Sequence, residues 1–383
     1  MFETEGRSIT YCFFSAQYLP TAGGVEWYTF HLCKLLCARG HHAIVVTTAL
    51  SGLPAQETDE NGIKIFRLPA WQLLGGRLPF TKLMTQRRLQ TLLTPCHIDR
   101  VIVQTRLYAL CLSGMRFAAR HHLPLITIEH GSDYVGASHP LVRTLEHAYE
   151  NILMSRAKKF CTHFYAVSQA SADWLRHFGV QSEGVLYNAI DVPQHPFAPL
   201  TENLRQTLGL AADVPLVAFV GRLVAEKGVL QLITAVQTIA AQTGLHLVIV
   251  GDGPLLQRLR QTPDAAVHLL GKIKQNDVLS VLRQCDLFCL PSDAEGFPTS
   301  VLEAALCRCY VITSPYGGAK ELICSPDYGM VLPDNSVAAL CDGLQFALAH
   351  PAQCKRATES AYQRLQTHFT WNATCDALQK ILQ

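Results

Sequence analysis

LVAFVGRLVAEKG, residues 216–228, joins a continuous apolar run to a glycine and two cations. Val, Leu and Phe in near-unbroken order predict a strand covered on both faces, as in a parallel sheet between helices. Arg222 and Lys227 follow Gly221 at the carboxyl end of that strand, where open α/β sheets bind ligands. Arginine can bind an oxyanion through two parallel hydrogen bonds and lysine adds a point charge, so the stretch suits a diphosphate. The competing interpretation is a pair of solvated charges, one of them against Glu226.

Similar apolar runs recur along the whole chain and alternate with longer helical stretches, which is typical of parallel βαβ units. They lie at 9–17, 43–48, 63–69, 99–105, 124–130, 164–169 and 184–188, and then at 216–221, 245–251, 267–271, 287–292 and 310–315. Residues 188–200 hold three prolines without periodicity and predict a linker. We therefore predict an α/β fold with two Rossmann-like, doubly wound domains facing across a cleft, over 1–187 and 201–365. Residues 366–383 should form a C-terminal helix that packs back on the first domain.

The composition excludes several classes of protein. Of 383 residues, 49% are hydrophobic and 16% charged, which suits large globular cores. A net charge of +2 without a Lys/Arg run gives no support for a nucleic-acid partner. The fourteen cysteines include no CxxC pair and fit small buried hydrophobes in a reducing cytoplasm. The first twenty residues lack a basic signal-peptide start and no apolar run reaches about 18, so we expect a cytoplasmic or peripheral protein.

Two glycine motifs follow predicted strands. Gly23-Gly24 opens an amphipathic helix, where backbone amides can approach an anion at the positive helix terminus. A flexible turn without a ligand explains the same pair equally well. VIVGDGPLLQRL, residues 248–259, predicts a strand, a tight turn and a helix, and we interpret it as structural.

EGFPTSVLE, residues 295–303, contains two glutamates with seven residues between them. Ser300 and Glu303 match a capping box, in which each side chain bonds a backbone amide at the helix start. That interpretation accounts for Glu303 and leaves Glu295 unexplained. Because Glu295 follows a predicted strand at its ligand-facing end, its carboxylate can accept hydrogen bonds from sugar hydroxyls.

In this combination and order, the Gly-Gly pair, GRLVAEKG, VIVGDGP and the spaced glutamates resemble the retaining nucleotide-sugar glycosyltransferases of family 4, which have the GT-B fold. The resemblance covers nearly the whole chain. It implies that Glu295 contacts the donor sugar, that Glu303 holds the ribose, and that Arg222 and Lys227 take the diphosphate. The donor-binding residues it implies are Gly23, Gly24, Gly221, Lys272, Ile273, Gly296, Phe297, Pro298, Thr299 and Glu303.

The resemblance also singles out His130, which ends the run ITIEH. On the sequence alone it is an ordinary polar loop residue, whereas the resemblance places it beside the donor sugar as a catalytic group with Glu295, Arg222 and Lys227. Asp293-Ala-Glu295 looks superficially like an acidic metal motif, but we expect no essential metal and no cofactor. Pro298 departs from the family pattern and removes one amide that could have faced the phosphate.

Residues 70–93 carry Arg77, Lys82, Arg87 and Arg88, without an acidic residue, among large apolar side chains. Such a segment can lie on an anionic membrane surface. A surface helix with its apolar side in the core explains it equally well.

The predicted activity is retaining transfer of a hexose or N-acetylhexosamine from a UDP- or GDP-sugar to a hydroxyl of a lipid-linked glycan, in bacterial surface polysaccharide synthesis. A sugar-nucleotide 2-epimerase of the same architecture is one alternative. A non-catalytic sugar-nucleotide-binding partner of a glycan assembly complex is the other.

Overall fold

The computed structural model of the chain describes residues 7–21, 23–73, 78–81, 85–134, 140–193, 197 and 203–383. The chain forms two compact units, one of residues 1–188 with 371–383 and the other of residues 189–370. The C-terminal helix, Trp371–Ile381, thus belongs to the first unit, where it contacts the first helix. Parts of the predicted linker, 194–196 and 198–200, lie outside the described residues.

The first unit is built on a seven-stranded sheet and a separate hairpin. The strands of the sheet are β1 Thr10–Phe14, β2 His42–Thr48, β3 Gln56–Thr58, β4 Lys64–Leu68, β7 Arg100–Gln104, β8 Leu125–Glu129 and β9 Phe164–Ala166. Their order is β3-β4-β2-β1-β7-β8-β9, and they are parallel except for β3 against β4. The hairpin pairs β5, Ala70–Leu73, with β6, Leu78–Thr81. The helices are α1 Gly24–Ala38, α2 Thr85–Leu93, α3 Ala109–Arg120, α4 Pro140–Ala157 and α5 Gln169–His177.

Both faces of this sheet are buried, which is why its strands read as continuous apolar runs. Successive residues of β1 point to opposite faces, and Phe13 and Phe14 are both fully buried. The core on one face contains Phe14, Val46 and Val103 with residues of α3 and α4.

One sequence prediction for this unit is wrong. Residues 184–188 form no strand, because only Val185 makes an isolated bridge, to Ala166. Of the segment 70–93, for which a surface helix was one alternative, only α2 is helical, and β5 and β6 precede it. Within that segment, Arg77 and Lys82 lie outside the described residues.

The second unit has a six-stranded, wholly parallel sheet. The strands are β10 Leu216–Val220, β11 His246–Val250, β12 Val267–Gly271, β13 Leu287–Leu290, β14 Tyr310–Thr313 and β15 Met330–Val331. Their order is β12-β11-β10-β13-β14-β15. The helices are α6 Leu204–Thr207, α7 Val229–Thr243, α8 Leu256–Arg260, α9 Gln275–Leu282, α10 Thr299–Leu306, α11 Val337–Ala349 and α12 Pro351–His368, and the C-terminal helix is α13.

The strand order of each sheet reverses at one position, between β1 and β7 in the first unit and between β10 and β13 in the second. In open α/β sheets such a switch point leaves a crevice at the carboxyl ends of the flanking strands, where ligands bind. The loops that begin at residues 15, 105, 221 and 291 are therefore where each unit can hold a ligand.

The cysteines lie where the composition led us to expect them, as free thiols that are mostly buried. None of the fourteen cysteines is in a disulfide, and nine of them are buried. Burial raises the pKa of many of these thiols, for example to about 12 at Cys285, so they remain protonated and behave as small hydrophobes.

In the described ranges, no helix is both long and apolar enough to cross a membrane.

Candidate active site

The loops after β10 and β13 are fastened to each other across the switch point of the second unit. Lys227, in a 3-10 turn over Ala225–Lys227, forms an ion pair with Glu295. The backbone amide of Asp293 donates to the carbonyl of Glu226 at 2.9 Å. Gly228 has φ +69°, and a Cβ there would lie 2.1 Å from the carbonyl oxygen of Pro291. The Lys227–Glu295 pair is therefore set by backbone packing as well as by charge.

Glu295 is held from several sides. Ser292 donates its hydroxyl to Glu295 Oε1 at 2.9 Å, and the backbone carbonyl of Glu295 accepts from the amide of Gly318 at 3.1 Å. Its side chain is only 12% exposed and that of Lys227 is 25% exposed. The alternative of two solvated charges, one of them against Glu226, does not hold for Lys227, because its ammonium pairs with Glu295 of the other loop.

Arg222 follows Gly221 directly after β10 and is exposed. Among the described residues, no group accepts a hydrogen bond from its guanidinium and no carboxylate pairs with it. A guanidinium at a switch point with its donors free is suited to an incoming oxyanion.

The glycines near this loop have different roles. Gly221 does not need to be glycine, because a Cβ there would make only ordinary contacts at 3.7 Å. Gly251 must be, since its φ is +146° and a Cβ would lie 1.8 Å from the carbonyl oxygen of Gly221. The turn of VIVGDGP thus packs the loops after β10 and β11 together, which agrees with its structural interpretation.

The residues between Glu295 and Glu303 lead into α10. Phe297 is 5% exposed and packs edge-on against Phe369, so its side chain is part of the core and only its backbone can face a ligand. Pro298 is the N-cap of α10, and the helix begins at Thr299. The missing proline amide is therefore not one of the amides of the first helical turn.

The capping-box interpretation of Glu303 is wrong. The N-cap of α10 makes no side-chain hydrogen bond, and Ser300 lies inside the helix. Glu303 instead accepts a hydrogen bond from the Gln275 side chain at 2.6 Å and is 8% exposed. Burial raises the pKa of Glu303, and the Gln275 bond partly offsets this shift.

That bond also places the loop after β12. Gln275 opens α9 just after Lys272, which is exposed, and Ile273, which is half-buried. Gln275 therefore brings these two residues to the same end of the second unit as Glu303. All the predicted residues of this unit follow β10, β12 or β13.

In the first unit, the predicted residues Gly23, Gly24 and His130 lie at neighbouring points of the sheet edge. Gly23 is the N-cap of α1 and Gly24 its first residue. Tyr28, one turn into α1, packs its ring edge-on against that of His130, with the ring centroids 4.8 Å apart. No local sequence pattern indicated this contact.

The carboxylate of Glu26 covers Gly23. A Cβ on Gly23 would lie 2.3 Å from Glu26 Oε2, and Glu26 is 5% exposed. Burial raises the pKa of Glu26, while the hydrogen bond from its own backbone amide lowers it. The carboxylate therefore fills the space beside the Cα of Gly23 at the start of α1.

Burial lowers the pKa of His130 to about 3, so the imidazole is neutral throughout the physiological range. Its Nε2 lies 2.7 Å from Gln104 Oε1. Glu129 accepts hydrogen bonds from the backbone amides of His130 at 3.1 Å and Gly131 at 2.8 Å. Sequence reasoning missed Gln104 and Glu129, although polar residues that end two apolar strands were a visible signal.

Two protein families match this chain over adjoining ranges. Residues 22–194 match Glycosyltransferase Family 4, and residues 201–364 match Glycosyl transferases group 1. The chain belongs to glycosyltransferase family 4. This confirms the resemblance drawn from the motifs, and it makes the protein a glycosyltransferase with two Rossmann-like units of the GT-B type.

Individual relatives of this glycosyltransferase are distant. One component of the human phosphatidylinositol N-acetylglucosaminyltransferase is 26% identical over 98% of this chain and 76% of its own length. The N,N'-diacetylbacillosaminyl-diphospho-undecaprenol alpha-1,3-N-acetylgalactosaminyltransferase of Campylobacter jejuni is 26% identical over 60% of this chain and 59% of its own. Anabaena HepE in complex with UDP-glucose superposes with a TM-score of 0.77 at 20% identity, covering 98% of this chain and 99% of that one.

Proposed function

We propose that this glycosyltransferase moves a hexose or N-acetylhexosamine from a UDP- or GDP-sugar to a hydroxyl of a lipid-linked glycan, with retention and without a metal. The pathway is assembly of a bacterial surface polysaccharide at the cytoplasmic face of the membrane. The observation that carries this proposal is the arrangement at the switch point of the second unit. There Lys227 is fixed against Glu295, and the Arg222 guanidinium has no bonding partner in the described part of the chain.

In this proposal Arg222 and Lys227 bind the donor diphosphate and stabilise its charge as the sugar–phosphate bond breaks. Glu295 accepts hydrogen bonds from the sugar hydroxyls and, through its ion pair, holds the Lys227 ammonium in place. Preorganised donors of this kind need no rearrangement as charge develops, which is the usual source of a large rate effect. Two cations supply the charge that a metal would otherwise supply.

The remaining donor contacts extend from this centre. The backbone of Gly296, Phe297, Pro298 and Thr299 lies along the sugar and diphosphate. Glu303 binds the ribose hydroxyls, and the loop of Lys272 and Ile273 receives the base. Gly23 and Gly24, at the start of α1, supply backbone amides to the diphosphate.

His130 acts next to the reacting carbon as a neutral group. With a pKa near 3 it cannot serve as a general acid at pH 7. It therefore orients the sugar by hydrogen bonding, and the leaving phosphate oxygen takes the acceptor proton from the same face.

The lipid-linked acceptor is supported by the names of relatives and by one surface of the first unit. Two relatives carry phosphatidylinositol or diphospho-undecaprenol in their names. In this chain Trp71 and Phe80 are paired across the β5–β6 hairpin and are 49% and 40% exposed. Arg87 and Arg88 on α2 are exposed as well. Aromatic side chains beside arginines suit the interface of an anionic membrane.

A panel of UDP- and GDP-sugars followed by proton NMR, with and without a membrane lipid extract, tests this function. We expect slow hydrolysis of one donor and faster release of its nucleotide with the extract. Conversion of a donor to another sugar without the extract would indicate an epimerase. Binding of a donor without turnover under any condition would indicate a non-catalytic partner.

A further inference from the structure

A buried polar cluster lies beneath His130 and has no part in donor binding as described above. It has four members. Gln104 is the last residue of β7 and Arg106 follows that strand, while Glu129 is the last residue of β8 and Glu150 lies in α4. All four side chains are at most 2% exposed. Burying three charged groups in one place is costly unless they are held in good geometry, so such clusters strongly affect whether a fold is stable.

The ionic part of the cluster joins three elements. Arg106 Nη1 lies 2.7 Å from Glu129 Oε2, and Arg106 Nη2 lies 2.8 Å from Glu150 Oε2. The guanidinium also packs over the Phe178 ring, 4.4 Å from its centroid. Arg106 therefore ties the ends of β7 and β8 to α4.

Glu129 connects the ion pair to the loop that carries His130. While one of its oxygens pairs with Arg106, the other accepts from the backbone amides of His130 and Gly131. A carboxylate that accepts from two successive amides fixes the direction in which the chain leaves the strand. The backbone amide of His130 is thus hydrogen-bonded to a carboxylate that belongs to a buried ion pair.

Gln104 holds the ring of the same residue. Its Oε1 lies 2.7 Å from His130 Nε2, and its Nε2 is buried and finds no acceptor among the described residues. An amide oxygen can only accept, so in this contact the imidazole donates from Nε2 and leaves Nδ1 as a lone-pair acceptor. The Tyr28 ring also packs edge-on against the imidazole, with the two ring centroids 4.8 Å apart.

We propose that Gln104 is the positioning residue of His130, selecting the Nε2–H tautomer and fixing the ring on a loop that Glu129, Arg106 and Glu150 hold rigid. The inference rests on the proposed role of His130 in transfer. A ring held in one orientation and one tautomer presents its Nδ1 lone pair to a sugar hydroxyl without reorganisation during the reaction.

The first test compares Gln104→Leu with a matched control, Thr127→Val. The leucine side chain has a similar volume to that of Gln104 but no acceptor, whereas Thr127 is a buried β8 residue whose hydroxyl bonds Cys161. We expect Gln104→Leu to lower kcat by about 10- to 100-fold, as loss of an orienting partner typically does. The donor KM and the Kd for UDP should stay within about twofold of wild type, because the second unit holds the nucleotide, and Thr127→Val should keep wild-type kcat.

A double-mutant cycle with His130→Ala decides whether Gln104 acts through His130. We expect Gln104→Leu to change kcat less than about twofold in the His130→Ala background. An equal fall in both backgrounds would overturn the proposal, and so would a rise in donor KM with kcat unchanged. If Gln104→Leu fails to fold, Gln104→Met fills the space with a more adaptable chain, and the same outcomes apply to it.

Nitrogen-15 NMR of histidine-labelled protein separates this inference from the proposed function. We expect the His130 signal of the wild type to show a proton on Nε2, and we expect Gln104→Leu to shift it toward a mixture of tautomers. An Nδ1–H tautomer in the wild type, or no change in the variant, would overturn the positioning role. If His130→Ala leaves kcat unchanged while the tautomer shifts as expected, the catalytic role of His130 fails and the positioning by Gln104 stands.

Discussion

Arg222→Ala removes a cation that the fold does not use. Arg222 is exposed after β10, and no described side chain or carbonyl bonds its guanidinium. Surface substitutions of this kind usually change stability by less than about 0.5 kcal/mol. The proposed function, by contrast, makes Arg222 a preorganised donor to the charge that develops on the departing diphosphate. Removal of one such donor typically lowers kcat by about 10² to 10³, or about 2.7 to 4 kcal/mol.

Lys227→Ala provides the comparison that the structure predicts to differ. It removes the ion-pair partner of Glu295, whose side chain is 12% exposed and keeps the Ser292 hydroxyl. Loss of a hydrogen bond to a charged group costs about 1.5 to 3 kcal/mol, so this variant should lose both activity and thermal stability. Arg222→Ala should lose activity alone.

The assay measures initial rates of nucleotide release with donor and acceptor, together with the thermal midpoint of each variant. Arg356→Ala is the control, since Arg356 is an exposed arginine on α12 of the same unit. It should behave as wild type in both measurements. If Arg222→Ala keeps kcat within about twofold of wild type at an unchanged midpoint, the diphosphate does not meet Arg222 and the donor assignment is refuted.

Three further predictions concern Glu303, His130 and the β5–β6 hairpin. Glu303→Gln should weaken UDP binding by about 10-fold or more without loss of thermal stability, because it removes a buried charge and keeps an acceptor. Calorimetric titration measures the binding. A large loss of stability with unchanged binding would contradict the prediction. The pKa of His130 is about 3 against an ordinary value near 6.5, so the folded chain binds fewer protons between these values and stability must fall as pH drops through that window. Between pH 7 and 5 the wild type should lose about 2 kcal/mol more unfolding free energy than His130→Asn, as urea titrations would measure, and equal losses would refute the lowered pKa of His130. Trp71→Ala should reduce co-sedimentation with anionic vesicles and not with neutral ones, and an unchanged vesicle affinity would remove the membrane role of the hairpin.

The fold was readable because its strands are buried on both faces. Runs such as 216–221 and 245–251 contain the observed strands β10 and β11 within their bounds. The run at 184–188 was misassigned because its apolar letters are packed in a loop, where only Val185 makes a bridge. The hairpin of β5 and β6 was missed since its register depends on pairing between strands rather than on a local period.

The candidate site was readable only in part. Arg222, just after a predicted strand, could be found from strand order and spacing, whereas His130 was singled out only by the family resemblance. The partners of Lys227 and Glu303 could not be found from the sequence, because Glu295 reaches Lys227, and Gln275 reaches Glu303, from another loop. A local pattern explained Glu303 as a cap, but the helix starts at Thr299, so Ser300 lies inside it and cannot be its N-cap.

Whether two cations take the place of a metal can be decided by following the transfer reaction over time by proton NMR, with and without excess EDTA, using an α-linked nucleotide sugar and a lipid-linked acceptor. The anomeric signal of the product reports whether transfer occurs and with which stereochemistry. We predict an α-linked product formed at an undiminished rate in EDTA, because Arg222 and Lys227 carry the leaving-group charge. A β-linked product, or transfer that stops until a divalent metal is restored, would contradict the proposed mechanism.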